Sequence, residues 1–269
     1  MCIAAPGRGC ENIASLRSRA ASAVVMGTLA LSAQLPGQNV SRDQFLQPRD
    51  ARRLRTGTFF SSDLDHGKEV GYGKISIQEI PGTDRFRLSS VATFASGFSG
   101  FHSQRWEAVA LRTFAPLSAQ LAFVGNHGIV PAFDLHYAAG RAHGFVVHHV
   151  NAIDQWRTDV DAPVPPDIVD QRIDWAALLP ADLAPGRSYH FTVFDPGTGF
   201  SKITEQVLAE TQAQVPAGTF AAYKIVDRME KTSGTETFQL LAKRDLPRMM
   251  LREEFPNGTV SELVRIADR

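Results

Sequence analysis

From Thr56 onward, apolar and polar positions alternate with a period close to two, the spacing of strands that bury one face. The pattern is visible in Thr58 to Phe60, Lys74 to Gln78 and Arg85 to Val91, and continues through Trp106 to Thr113 and Leu117 to Val124. Breaks with turn chemistry fall at Asp65-His66-Gly67 and Pro81-Gly82-Thr83-Asp84. Phe133 to Tyr137 and Gly144 to Val150 predict a hairpin around Gly140. Further strands follow at Ser188 to Phe194, Phe200 to Val207, Thr211 to Val215 and Phe220 to Ile225. The last group is Thr237 to Leu240, Met249 to Phe255 and Thr259 to Ile266. Pro216-Ala217-Gly218 marks a corner within this series, and Asn257-Gly258 supports the positive φ values of a two-residue hairpin loop.

One stretch departs from the period of two. Pro165-Pro166-Asp167 is a helix start signal, Ile168, Val169, Ile173, Trp175, Leu178 and Leu179 follow at roughly helical spacing, and Pro180 ends the run. The pattern therefore predicts a mainly β protein: a single curved antiparallel sheet of ten or so strands, a half-barrel or open barrel. One short helix at about 167–179 covers its concave face. A second, shorter helix is predicted from the capping-box pattern Ser41 to Gln44, running to Leu46 and stopped by Pro48.

The first residues follow a different rule. Arg8, Arg17 and Arg19 precede an uncharged run from Ala20 to Ala33, which is shorter than the ~20 apolar residues of a membrane span. A basic segment, a short apolar run and small residues at its end form a secretory signal, with cleavage expected after Ser32 or Ala33. The expected organisation is a signal peptide over residues 1–33, a polar linker over 34–55 and one β-rich domain over 56–269. The expected address is periplasmic or secreted. Both cysteines, Cys2 and Cys10, lie in the leader, so the mature chain would hold no disulfide and no thiolate metal site. Removing the leader leaves 25 basic against 27 acidic side chains, a balance that gives no reason to expect nucleic acid or an anionic membrane surface as a partner. No later segment is apolar enough to serve as a stable membrane anchor. A basic cluster at Arg49, Arg52, Arg53 and Arg55 reads as part of the solvated linker.

Several motifs carry a resemblance. Leu183, Pro185-Gly186, Tyr189, Phe191 and Val193 are followed by Val215-Pro216-Ala217-Gly218-Thr219-Phe220 and Ala222, and then by a closing strand pair around Pro256-Asn257-Gly258-Thr259. This series resembles an uncharacterised family of exported bacterial proteins, a domain of unknown function of the DUF3108 type. The similarity spans about Thr56 to Ile266. It implies a curved antiparallel sheet in the bacterial envelope, loosely similar to lipoprotein-carrier half-barrels, and it supplies no catalytic residues.

Candidate chemistry is sparse. Asp134 and His136 share a strand face, and cross-strand His143 would complete three ligands for zinc and a zinc-assisted hydrolase. Ser99, between Gly97 and Gly100, lacks the strand–turn–helix setting of a nucleophile elbow. Gly71 and Gly73 precede no helix, and adjacent Glu253 and Glu254 point to opposite faces of a strand. The more promising feature is aromatic. Phe94, Phe98 and Phe101 punctuate a Gly/Ser-rich connection and would rim an apolar concavity, with Trp106 and Trp175 deeper inside. The expected role is non-enzymatic: an exported protein, without a cofactor, that binds a lipid or another apolar or amphipathic ligand. An envelope docking module acting through an open sheet edge is the third reading, and the sequence names no protein partner.

Overall fold

The structure is a computed structural model of the chain; it describes residues 44–45, 50–98 and 101–267. The predicted leader and most of the linker lie outside these residues. Sixteen strands are present among the described residues. The N-terminal set is β1 (Gln44–Phe45), β2 (Gly57–Asp65), β3 (Lys68–Glu79), β4 (Arg85–Phe98), β5 (Phe101–Leu111), β6 (Pro116–Gly125), β7 (Gly128–Ala138), β8 (Arg141–His148) and β9 (Trp156–Pro163). The C-terminal set is β10 (Val169–Asp170), β11 (Ser188–Asp195), β12 (Gly199–Val215), β13 (Gly218–Lys231), β14 (Gly234–Lys243), β15 (Met250–Glu254) and β16 (Val260–Ala267). Between the sets lie a 3-10 turn, Gln171–Ile173, and helix α1 (Asp174–Leu178).

All strands belong to one curved, open sheet, in the order β1-β11-β12-β13-β14-β15-β16-β2-β3-β4-β5-β6-β7-β8-β9. The first long strand and the last pair with each other, Val260 opposite Leu64 and Ala267 opposite Thr58, which joins the two halves of the chain in mid-sheet. The Pro216-Ala217 corner is a tight hairpin turn, with Val215 directly opposite Gly218. Register shifts at Asp63/Leu64, Val207/Ala209, Leu241/Ala242 and Leu263/Arg265 bend the long strands, as bulges do, and support the curl. The β11 edge is covered by two short parallel segments, β1 on Tyr189–His190 and β10 on Val193–Phe194. Such covering removes an unpaired ladder that would otherwise template aggregation.

The alternation becomes rows of side chains across the inner face. Ile77, Leu88, Ala108, Ala119 and Leu135 lie opposite one another on β3 to β7, all at 1 % exposure or less. The next row is Phe59, Ile75, Ser90, Trp106, Leu121, Phe133 and Val146. The third is Ser61, Gly73, Ala92, Gln104 and Phe123. Side-chain bulk thus falls from the first row to the third along part of the wall.

Two helical expectations change. The helix predicted over 167–179 is only five residues long, because Val169–Asp170 pair with β11 and the Asp170 carboxylate then caps the Arg172 N–H to start a 3-10 turn. Every residue of α1 is buried, so it is a plug within the curled sheet rather than a lid with a wet face. Gln44–Phe45, predicted as helix, form an edge strand; the rest of that predicted helix lies outside the described residues. The linker is also more ordered than its composition suggests. Ala51 and Leu54 enter the core, and Arg52 and Arg53 pair with Asp50 and Asp182 at 2.7 and 2.8 Å.

Gly144 continues the first row on β8, opposite Leu135, with φ at 150°. A Cβ there would stand 1.9 Å from the Asp134 carbonyl oxygen. Gly144→Ala should therefore destabilise the protein by about 2–3 kcal/mol, since neither the backbone angle nor the neighbouring strand can accept it. A urea midpoint unchanged from that of the unaltered protein would contradict this close strand approach.

Candidate functional site

The thinning of side chains in the second and third rows leaves a cavity of roughly 420 Å³ between the sheet and the plug. Ser61, Gly71, Gly73, Ser90 and Ala92 make one wall, and their small size leaves the space. Phe59, Ile75, Trp106, Leu121, Met249 and Leu263 supply most of the apolar surround, and Trp175 reaches in from α1. Trp175 is fixed at both ends: its backbone N–H donates to the Asp174 carboxylate at 2.6 Å and its indole Nε1 to the Arg172 carbonyl at 3.1 Å.

The plug is held by a buried charge cluster. Arg172 donates from Nε and Nη2 to the two oxygens of Asp170, at 2.5 and 2.7 Å, and from Nη1 to Asp195 Oδ2 at 2.5 Å. Nη2 also reaches the Phe194 carbonyl at 3.3 Å, and the guanidinium lies 4.5 Å over the Phe133 ring. Tyr137 donates its hydroxyl to Asp170 Oδ2 at 2.6 Å, tying β7 to β10. Burial works to lower the affinity of Arg172 for its proton, but the carboxylates of Asp170 and Asp195 more than offset this and hold it above the ordinary value. Burial, with the Asp170 charge, pushes the Tyr137 hydroxyl up. On the other side of the plug, Arg248 Nη1 donates to the carbonyls of Leu179 and Ala181 at 2.8 and 2.5 Å, satisfying groups freed where the helix ends.

A polar row crosses the cavity on neighbouring strands: Glu253 on β15, Ser261 on β16 and Asp63 on β2, followed by Gly71 and Phe94. All five line the cavity. Burial raises the Asp63 carboxyl above its ordinary value, with a hydrogen bond from Ser261 opposing the shift. Asn257 and Thr259 of the β15–β16 turn lie beside this row.

Of the aromatic residues singled out from the sequence, Phe94, Trp106 and Trp175 line the cavity. Phe101 is buried at 2 % exposure and stacks on Phe123, with ring centres 4.9 Å apart; it does not line the cavity. The Phe98 side chain and Ser99 lie outside the described residues. His136 and His143 are direct cross-strand neighbours, and Asp134 shares their face. The three do not converge: His136 stands 3.7 Å from Asp134, while His143 turns to Asp161 at 3.0 Å. Among the described residues, no three or more His, Cys, Asp or Glu side chains gather as a metal ion requires. Sequence reasoning missed Asp170, Gln171, Arg172 and Asp195 altogether. The available signal was charge, Asp170 and Arg172 lying with Asp167, Gln171 and Asp174 among the apolar residues between Pro166 and Pro180.

The chain belongs to the family described as "Protein of unknown function (DUF3108)", whose profile matches residues 58–264. None of the curated proteins matches it. Among solved structures it is similar to a beta-barrel-like protein of domain of unknown function DUF1849 from Brucella abortus. That likeness has 10 % identity, covers 81 % of this chain and 100 % of the other, and has a TM-score of 0.49. It is also similar to a protein with a YmcC-like fold from Bacteroides fragilis, at 12 % identity over 80 % of this chain and 97 % of that one, TM-score 0.35.

Two outcomes test the site's electrostatics. Arg172→Met should cost about 3–5 kcal/mol, because it strands two buried carboxylates; urea unfolding reads this directly. For Asp63, the raised folded-state value means that folding favours the protonated carboxyl. The penalty is absent at low pH, where both states are protonated, and is complete once pH exceeds the folded value. Asp63→Asn should thus raise the urea midpoint at about pH 7 and leave it unchanged at about pH 3, below the ordinary aspartate range.

Proposed function

We propose that this DUF3108 protein is a non-enzymatic protein of the bacterial envelope that holds a hydrophobic or amphipathic molecule inside its curled sheet. The observation that carries the reading is the cavity: roughly 420 Å³, within the range of small-molecule sites, with aromatic and aliphatic side chains around most of it. An apolar guest in a space of this size would gain packing contacts with its lining. Each Å² of apolar surface removed from water is worth about 25 cal/mol, so affinity follows the size of the guest and changes little with salt.

Two of the charged groups at the cavity have a structural role. Arg172 and Asp195 are committed to each other and to Asp170, Gly197 and Thr198, which leaves neither as a free base or nucleophile. The export reading rests on the leader at residues 1–33, with Arg8, Arg17 and Arg19 ahead of the apolar run. Among the described residues, no helix is long and apolar enough to cross a membrane.

The test fills the space without touching the plug. Ala92 lies between Gly73 and Gln104 on the thin wall, and Ala92→Phe would place a ring in the cavity. The unaltered protein should bind the neutral dye Nile red with a blue-shifted emission, and Ala92→Phe should weaken this at least about tenfold with the urea midpoint retained. Equal dye binding by the folded variant would remove the cavity as the site.

A further inference from the structure

We propose that β9 is an interface with a second copy of this chain. The two β9 strands pair antiparallel about a two-fold axis beside Thr158 and join both sheets into one.

The fold treats the two ends of its sheet differently. The β11 edge is covered by β1 and β10, whereas β9 ends the sheet and pairs only with β8 among the described residues. Six of its eight residues are exposed, so its outer side is open to water. An open ladder of N–H and C=O groups is a template for another strand, and bulges, prolines and charged side chains are the usual defences. The pairing of β9 with β8 runs without a register shift, and Pro163 stands only at the end of the strand. Its charges, Arg157, Asp159 and Asp161, are of both signs, which a second copy can match.

Charge selects the register. Directly opposed residues of an antiparallel pair share a face, so the two-fold axis must pass beside a residue and not between two. Beside Arg157 it would oppose two arginines, and beside Asp159 or Asp161 two aspartates. Beside Val160 it would oppose Asp159 and Asp161 twice, and axes nearer either end leave most of the strand unpaired. Beside Thr158, each Arg157 meets the partner's Asp159, and no like charges are directly opposed. Asp161 is held within its own chain by Arg141 and His143, at 2.7 and 3.0 Å. Arg157 and Asp159 are 61 % and 87 % exposed and meet each other only at 3.6 Å, so both can turn across the axis. On the other face, half-exposed Trp156 comes against the partner's Val160, an aromatic–β-branched pair, and the two threonines meet at the axis. A contact of one strand is smaller than the about 1,600 Å² of a standard stable interface, so the dimer is reversible and forms with rising concentration.

Two measurements test this. In sedimentation velocity over a concentration series, the unaltered chain should show a monomer–dimer equilibrium. Arg157→Asp and Asp159→Arg each oppose like charges twice and should each raise the dissociation constant at least about tenfold; the two changes together should restore it. Both positions are exposed, so the variants should fold. For the second measurement, Cys2 and Cys10 are replaced by serine, and Thr158→Cys becomes the single thiol. The paired Cα atoms then lie about 4.5–5.5 Å apart, a span that a disulfide bridges. Mild oxidation should give a covalent dimer, whereas Asp161→Cys should not, because its two copies stand about 20 Å apart along the strands. A chain that stays monomeric and does not cross-link through Thr158→Cys would overturn the proposal and leave the edge to a strand of a different protein. A dimer indifferent to the charge reversals, or cross-linked equally through Asp161→Cys, would overturn this edge and register. Nile red binding should be unchanged in every variant, so the dimer and the cavity reading stand or fall separately.

Discussion

The geometry of this protein depends on one buried cation. Arg172 enters the curled sheet on a short segment between β10 and α1, where it meets Asp170 from the end of β10 and Asp195 from the end of β11. Tyr137 joins from β7 through Asp170, and Phe133 of the same strand lies under the guanidinium. The sheet does not close by backbone pairing, so side chains must hold its two regions together. The cluster does this at a point where β7 and β10 would otherwise be linked by apolar contact alone. Buried ion pairs are weak sources of net stability, because desolvation consumes most of the Coulombic gain. They are strong sources of position, because any displacement leaves a charge unpaired in a low dielectric. The plug therefore sits where its hydrogen bonds put it.

The cavity follows from that fixed position. A helix free to settle would collapse onto the thin wall of Ser61, Gly73, Ser90 and Ala92 and fill the space with Trp175. Instead Arg172 anchors the start of the segment, and Arg248 binds the carbonyls of Leu179 and Ala181 just past its end. Trp175 is held between them by its own hydrogen bonds to Asp174 and Arg172. Polar contacts keep apart two apolar surfaces that would otherwise pack. Protein interiors are normally filled to crystal-like density, so a void of this size needs a structural reason of this kind.

Much of the fold was legible in the sequence, and the site was legible in part. Period-two alternation located the long strands because each has one face in the core, and the Pro216-Ala217 and Asn257-Gly258 turns were readable from residue type alone. Strand β9 was missed because Trp156 to Pro163 is an edge with six of its eight positions exposed and little burial to create alternation. The plug was read as a longer helix because Ile168 and Val169 fit helical spacing as well as strand spacing, and only pairing with β11 decides between them. Phe94, Trp106 and Trp175 were found at the cavity because large aromatics near a sheet's inner face have few other places to go. Phe101 belonged to the same motif yet packs under β6 against Phe123. A spacing pattern cannot separate lining a void from filling one. The charged cluster left only a faint trace, since charged residues among apolar ones between Pro166 and Pro180 do not reveal which distant strand supplies their partners.

The histidine hairpin shows the same limit from the other direction. Strand periodicity correctly placed Asp134 and His136 on one face with His143 across from them. Shared facing is a necessary condition for a metal site, and it is a weak one, because exposed side chains turn to the nearest opposite charge. His143 has Asp161 on the next strand, and Arg141 competes for the same carboxylate at 2.7 Å. At the plug, by contrast, burial removes such alternatives, so each polar atom has one arrangement that satisfies it. Geometry is therefore informative where water is excluded, and a functional group of this protein is best sought among the buried polar atoms facing the cavity. By that criterion the plug, where Arg172 and Trp175 line the cavity, is a better-defined site than any cluster on the outer face.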